Sequence, residues 1–168
     1  MCQEIDPFDK ENTLDDVDQL AHYYEVGREA LALVLGGLLA TQSSHPRAIL
    51  DFPSGSGRVT RWLSAFFDNA DVVACDLYQD DLAFCEKAFG VDVIKSSENF
   101  PDLELGRKFD VIFCGSLLTH LPRESFRDAL GIISASLSEN GIAIVTFHGR
   151  YSEWLQDHGF QYLDERLF

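Results

Sequence analysis

No cluster of lysine or arginine occurs anywhere in this sequence. Only 13 basic side chains stand against 28 acidic ones across 168 residues, a formal net charge of −15. A surface that acidic repels phosphate backbones and anionic headgroups, which argues against nucleic acid and against a membrane surface. A small-molecule partner is expected instead. The four cysteines, Cys2, Cys75, Cys85 and Cys114, form no C-x-x-C pair, so no zinc site, no other metal and no thioredoxin-type motif is predicted. The first dozen residues are acidic rather than basic and then apolar, unlike a signal peptide. The apolar run Leu31 to Ala40 is too short to cross a bilayer and contains Gly36-Gly37. Internal repeats and a second-domain boundary are also missing. Together these absences predict a soluble, cytoplasmic protein of one domain with reduced thiols.

What is present reads as globular. Hydrophobic residues make up 46% and charged residues 24%, in a chain long enough to bury a core. Residues 1–13 are polar and acidic, an extended or poorly ordered lead-in. Thr13 is placed to cap a helix with Asp15 and Asp16 in its first turn. Val17, Leu20, Ala21 and Tyr24 continue it at helical spacing. A second helix is expected from Val26 to Ala40, with Gly27 as the break. This N-terminal helical extension, residues 1–44, leads through a loop into a core at 45–150.

From residue 48 strand-like and helix-like stretches alternate. Strands are predicted at Ala48–Phe52, Asp71–Cys75, Val91–Ile94, Phe109–Cys114 and Ile142–Phe147. Helices are predicted at Val59–Phe67, Asp80–Phe89 (stopped by Gly90) and Arg123–Leu137, the last with a stripe of Phe126, Leu130, Ile133 and Leu137. Asn140-Gly141 is expected to end that helix. Apolar strands without strict alternation suggest burial on both faces. The order predicts an α/β fold with a doubly wound, mostly parallel sheet.

Chemistry concentrates where the first strand ends. Ile49-Leu50-Asp51 hands over to a helix through Phe52-Pro53-Ser54-Gly55-Ser56-Gly57. Small residues let the backbone approach a ligand, and this strand–turn–helix design recurs at nucleotide sites. Glycines in a tight turn are equally explained by the turn itself. Asp76, 19 positions after Gly57, ends the second strand and is placed to accept hydrogen bonds from ribose hydroxyls. The competing role is a turn aspartate. A nicotinamide site in the G-x-G-x-x-G/A pattern wants a small residue where Thr60 stands, and a diphosphate would be repelled by Asp51. A nucleoside with a cationic group and no phosphates, such as S-adenosylmethionine, suits the two carboxylates better.

These residues resemble motif I of class I S-adenosylmethionine-dependent methyltransferases, with proline in place of the first glycine. The resemblance continues through 109–121 and 140–149, similar to the family's fourth strand with its following loop and to its fifth strand. It implies a Rossmann-like methyltransferase fold with S-adenosylmethionine as cofactor. It also implies that Asp51, Pro53, Ser54, Gly55 and Gly57 line the methionine end and that Asp76 holds the ribose. Leu77 would lie by the adenine, with Ser96, Ser97 or Glu98 at its edge. Cys114, Gly115 and Ser116 would pass beneath the reacting methyl. Pro53 departs from the pattern and removes an N–H from the turn. No Asn/Asp-Pro-Pro-Tyr-type motif follows the fourth strand, so methylation of bases or protein nitrogen loses support.

Only 151–168 follows the fifth strand, with one strand-like stretch at Phe160–Phe168, where the family adds a hairpin. The hairpin is absent, or the chain was cut from a longer protein, or a partner chain in a homo-oligomer completes the sheet. His120, after the fourth strand, is the candidate catalytic base, and His148 is a second; a histidine that bonds backbone is the competing role for both. Tyr23, Tyr24, Tyr151 and Trp154 either roof a substrate pocket or pack in the core. The leading expectation is a methyltransferase acting on oxygen or nitrogen of a small molecule. A non-catalytic cofactor-binding module is the alternative, and a nicotinamide-dependent oxidoreductase comes third.

Overall fold

Apolar strands at the centre of a sheet need cover on both faces, and the chain supplies it by alternating strand and helix. A computed structural model describes residues 2–9, 17–42 and 45–148. Its helices are α1 (Val17–Ala40), α2 (Thr60–Phe66), α3 (Gln79–Phe89) and α4 (Arg123–Ser136). Its strands are β1 (Ala48–Asp51), β2 (Asp71–Asp76), β3 (Asp92–Lys95), β4 (Phe109–Cys114) and β5 (Leu137–Val145). Single 3-10 turns lie at Phe100–Asp102 and Leu117–His120.

All five strands are parallel, in the order β3-β2-β1-β4-β5. In β1, Leu50 lies between Val73 of β2 and Ile112 of β4. Successive side chains point to opposite faces, and this sorts the core into two layers. Leu50, Val73, Cys75, Ile112 and Cys114 meet Ala129 and Ile133 of α4, with Phe100, Leu103 and Leu105 beside them. Ile49, Val72, Ala74, Val111 and Phe113 meet α1, α2 and α3 through Val34, Leu63 and Leu82. The sheet is doubly wound, as the alternation predicts.

The winding fixes where a ligand can sit. From β1 the chain steps to β2 and β3 with α2 and α3 on one face. It then returns to the other side of β1 for β4 and β5, with α4 on the opposite face. Between β1 and β4 the direction of winding reverses, and the connections leaving their carboxyl ends diverge. Sheets of this kind bind ligands in that crevice.

Several local expectations are corrected. Val17–Ala40 is one helix, and Gly27 does not break it. A Cβ there would lie 2.3 Å from the Arg58 carbonyl oxygen and 2.5 Å from Trp62 Cδ1, so Gly27 is where α1 and α2 touch. In α4 the inward residue is Ala129, while Leu130 is 38% exposed. The helix ends at Ser136 and β5 starts at once, with Asn140-Gly141 inside the strand. There β5 slips against β4: Phe109 pairs Leu137, whereas Val111 pairs Ile142. A Cβ on Gly141 would lie 2.7 Å from the Phe109 carbonyl oxygen, so the irregularity needs glycine. The lead-in has no helix or strand in residues 2–6, and its Cys2, Gln3 and Glu4 carbonyls accept bonds from Arg61 and Tyr24. Thr13, Tyr151, Trp154 and Phe160–Phe168 lie outside the described residues.

Candidate functional site

The turn after β1 is tied to both neighbouring strands. Phe52 N–H donates to the Phe113 carbonyl of β4 at 2.9 Å, and Ser54 N–H to the Cys75 carbonyl of β2 at 3.0 Å. The Phe52–Pro53 peptide between them is cis. Gly55 and Gly57 have φ of +50° and +82°, a region in which a side chain is strained. Their surroundings differ. A Cβ on Gly55 would meet nothing within 4 Å, whereas one on Gly57 would lie 2.3 Å from the Phe89 ring and 3.0 Å from Cys85 Sγ. Gly55 presents bare backbone to open space; Gly57 lets the turn lie against α3.

Two carboxylates close the strand ends beside this turn. Asp51 is 1% exposed. Its Oδ2 accepts the Thr60 hydroxyl at 2.6 Å, and its Oδ1 is buried without a hydrogen-bond partner. Burial pushes the Asp51 carboxyl up to about 7; the Thr60 hydroxyl opposes this and the Asp76 charge adds to it. Asp76 is 5% exposed and already bonded, Oδ2 accepting Gly55 N–H at 2.8 Å and Oδ1 accepting Tyr78 N–H at 3.1 Å. Ser56 Oγ donates to Asp81 Oδ1 at 2.6 Å. Burial raises the Asp81 carboxyl, and the charges of Asp76, Asp9 and Asp6 raise it further. Three carboxylates gather at this corner, and the Arg58 charge opposes the rise at Asp51.

The thiols nearby are held neutral. Burial pushes Cys75, Cys85 and Cys114 each up to about 12, with Asp51 contributing at all three. Cys85 Sγ–H donates to the Gly55 carbonyl at 3.4 Å. A protonated thiol is a poor nucleophile, so none of the three competes for an electrophile bound at the turn.

The other predicted residues fall around the same crevice. Leu77 follows Asp76 and is half-buried. Ser96 N–H donates to the Asp76 carbonyl at 2.8 Å, Ser97 Oγ accepts Asn99 N–H at 3.1 Å, and Glu98 is exposed. At the end of β4, Cys114 accepts Thr146 N–H at 3.0 Å through its carbonyl. A Cβ on Gly115 would lie 2.9 Å from the Phe113 ring. Ser116 takes φ +61°, held by N–H bonds to the Thr146 carbonyl at 3.1 Å and hydroxyl at 3.0 Å. His120 is exposed at the end of the 3-10 turn, and His148 N–H donates to Thr119 Oγ1 at 3.1 Å. The loop after β4 and the segment after β5 thus form one stitched rim. Among the described residues no three His, Cys, Asp or Glu side chains could hold a metal ion, and no helix is long and apolar enough to cross a membrane.

Ser56, Thr119 and Thr146 were not singled out in the sequence, and Thr60 was weighed only as a departure from a dinucleotide motif, not as a partner of Asp51. Thr60 carried a signal: it is the first helical residue after a turn that begins on a buried carboxylate. The others bond across long sequence separations. Tyr23 is core, 1% exposed, its phenol raised by burial in spite of the Arg61 charge.

Residues 49–141 match the family model described as Methyltransferase domain. Among solved structures, an S-adenosylmethionine-dependent methyltransferase from Clostridium acetobutylicum shares 22% identity at a TM-score of 0.67. The match covers 88% of this chain and 65% of that one. The plantazolicin methyltransferase BpumL, in complex with a pentazolic desmethylPZN analog and SAH, shares 16% identity at 0.66, covering 91% of this chain and 61% of that one. Coclaurine N-methyltransferase, bound to N-methylheliamine and SAH, shares 18% at 0.55, covering 84% and 39%. This chain therefore spans less than two thirds of each of these proteins, and identities this low establish the fold they share. No curated protein sequence matches it.

Proposed function

This chain belongs to the methyltransferase domain family, and we propose that it transfers a methyl group from S-adenosylmethionine to an oxygen or nitrogen of a small molecule. The observation that carries this reading is the orphaned Oδ1 of Asp51, buried at the carboxyl end of β1. An unpaired buried carboxyl oxygen is costly, and a cationic ligand group offsets that cost. The neighbouring Asp76 and Asp81 are bonded already but add negative charge, and all three disfavour a diphosphate. Thr60, at the third small-residue position of a dinucleotide motif, has its hydroxyl committed to Asp51. The donor set fits S-adenosylmethionine.

In this reading Asp51, Pro53, Ser54, Gly55 and Gly57 hold the methionine end, with the open space over Gly55 as the cradle. Asp76 accepts two backbone N–H groups and, as a carboxylate, has capacity left for ribose hydroxyls. Leu77 flanks the adenine, and Ser96, Ser97 and Glu98 lie at its edge. Cys114, Gly115 and Ser116 form the floor beneath the reacting methyl. When bound, the cofactor supplies a methyl already activated by the sulfonium charge. The chain's remaining work is alignment and proton removal: the rim of 115–120 and 146–148 orients the acceptor, and His120 takes its proton. The neutral thiols keep the methyl from being lost to cysteine.

A small-molecule acceptor is supported by the acidity of the chain and by the ligands named for BpumL and coclaurine N-methyltransferase. Calorimetry with S-adenosylmethionine, S-adenosylhomocysteine and NAD tests the cofactor. Binding of the first two and not the third is expected, and the converse sinks the reading. Transfer of labelled methyl to a panel of phenols, carboxylates and amines then identifies the acceptor atom. A chain that binds the cofactor yet transfers to none of them is a binding module.

A further inference from the structure

Among the described residues Arg61 is the largest fully buried side chain, 1% exposed, in the first turn of α2. A buried guanidinium is tolerated only when its donors are satisfied. Nε–H donates to the Gly57 carbonyl at 3.3 Å and Nη2–H to the Tyr23 hydroxyl at 3.1 Å. Nη1–H donates to the carbonyls of Glu4 at 2.9 Å and Cys2 at 3.4 Å. Three rings enclose it, with centroids 5.1 Å (Phe89), 5.2 Å (Tyr23) and 5.5 Å (Tyr24) from the guanidinium carbon. Phe89 is also the ring against which Gly57 packs. Tyr24 OH adds a bond to the Gln3 carbonyl at 2.9 Å.

One guanidinium therefore grips both the glycine turn and the backbone of residues 2–4. The same N-terminal segment brings Asp6 and Asp9 close enough to raise the Asp81 carboxyl, which is bonded to Ser56 of the turn. We propose that Arg61 is a positioning residue that couples the N-terminal segment 2–9 to the glycine turn, so that filling the cofactor site clamps the segment down as a strap. The coupling rests on the cofactor reading above. A ligand that fixes the turn fixes the Gly57 carbonyl and with it the guanidinium that holds the strap. By linkage, a docked strap must in turn tighten the ligand.

Cys2 reports on the strap, because it is half-exposed while Cys75, Cys85 and Cys114 are buried. The test measures Cys2 labelling by a thiol reagent in the full chain, with and without S-adenosylhomocysteine, beside calorimetry of the same ligand. In the wild type the ligand should slow labelling by about fivefold or more, the lower end of typical coupling. Tyr24→Phe removes only the hydroxyl that reaches Gln3; it should speed labelling and weaken ligand binding several-fold. Arg61→Lys keeps the charge on a single nitrogen that cannot serve Gly57 and the strap together, so its labelling should ignore the ligand. A wild type that binds ligand with Cys2 labelling unchanged, or a Tyr24→Phe chain with unaltered affinity, overturns the coupling alone. A wild type that fails to bind S-adenosylhomocysteine overturns the cofactor reading and the coupling with it.

Discussion

Thr60 gives its hydroxyl to one oxygen of Asp51 at 2.6 Å, while the other oxygen, equally buried, receives nothing. Burial pushes this half-satisfied carboxyl up to about 7, and the Thr60 bond only moderates the rise. Its sign for stability is the reverse of a paired carboxylate. In the unfolded chain the group ionises near 3.8, whereas in the folded protein it keeps its proton up to about 7. Ligand-free stability therefore falls as pH rises through that window, by about 4 kcal/mol at roughly 1.4 kcal/mol per unit. Asp51→Asn removes this fall. Urea melts at pH 4.5, 6 and 7.5 should show the variant gaining on the wild type as pH rises; a constant gap refutes the assignment.

Ligand binding should carry the opposite pH dependence. A cation placed against Asp51 favours its ionised form, so S-adenosylmethionine binds more tightly as pH rises towards 7.5. Below 7 the gain approaches about tenfold per unit when ionisation of this one group is fully linked. Near pH 6 binding should release a proton, seen as calorimetric heats that depend on the buffer's ionisation enthalpy. Asp51→Asn should bind more weakly and without buffer dependence. Buffer dependence that survives in the variant assigns the proton elsewhere.

The two glycines of the turn should separate folding from binding. Gly57→Ala drives a methyl into the Phe89 ring at a φ of +82°, and a loss of about 2–4 kcal/mol is expected from overpacking and left-handed strain combined. Gly55→Ala also pays the left-handed strain, about 1–2 kcal/mol, but its methyl enters open space. That variant should fold and lose S-adenosylhomocysteine affinity by more than about tenfold, the methyl filling the cradle. Chemical denaturation and calorimetry on both chains check the contrast, and a Gly55→Ala chain with native affinity moves the ligand off the turn.

Legibility in the sequence followed the range of the interactions. Ala48–Asp51 and Phe109–Cys114 were readable because parallel strands buried on both faces are mostly apolar, here with one aspartate each. Asp51 and Asp76 were readable because each ends its own strand. Gly27 was misread because its meaning comes from Arg58 and Trp62, some 30 residues away, and a helical glycine carries no local sign of such contact. Leu130 and Ala129 are neighbours on a helix, and only packing decided that the smaller one faces the sheet. The slip in β5 depends on Phe109. Arg61 was not singled out, since nothing local announces three aromatic rings and the backbone of residues 2–4.

His120 should matter to turnover and not to the cofactor. His120→Gln keeps polarity and approximate size but cannot accept a proton near neutral pH. A loss of about 100-fold or more in kcat is expected for an acceptor that must be deprotonated, with S-adenosylhomocysteine affinity unchanged. A variant that keeps its kcat places the base at another residue of the rim, His148 first.

Asp76 accepts the N–H groups of Gly55 and Tyr78. In the proposed function it has a second job, holding the ribose, and substitution should expose both. Asp76→Ala leaves the Gly55 N–H without its acceptor, a loss of about 1–3 kcal/mol in stability, and removes the ribose contact as well. Adenosine alone separates this carboxylate from its neighbour, because it carries the ribose and lacks the amino-acid end. Its affinity should fall sharply in Asp76→Ala and Asp76→Asn yet stay near wild type in Asp51→Asn. Methyl-donor affinity should fall in all three. If adenosine binding instead tracks Asp51, the two carboxylates have exchanged roles, and the ligand lies the other way round in the crevice.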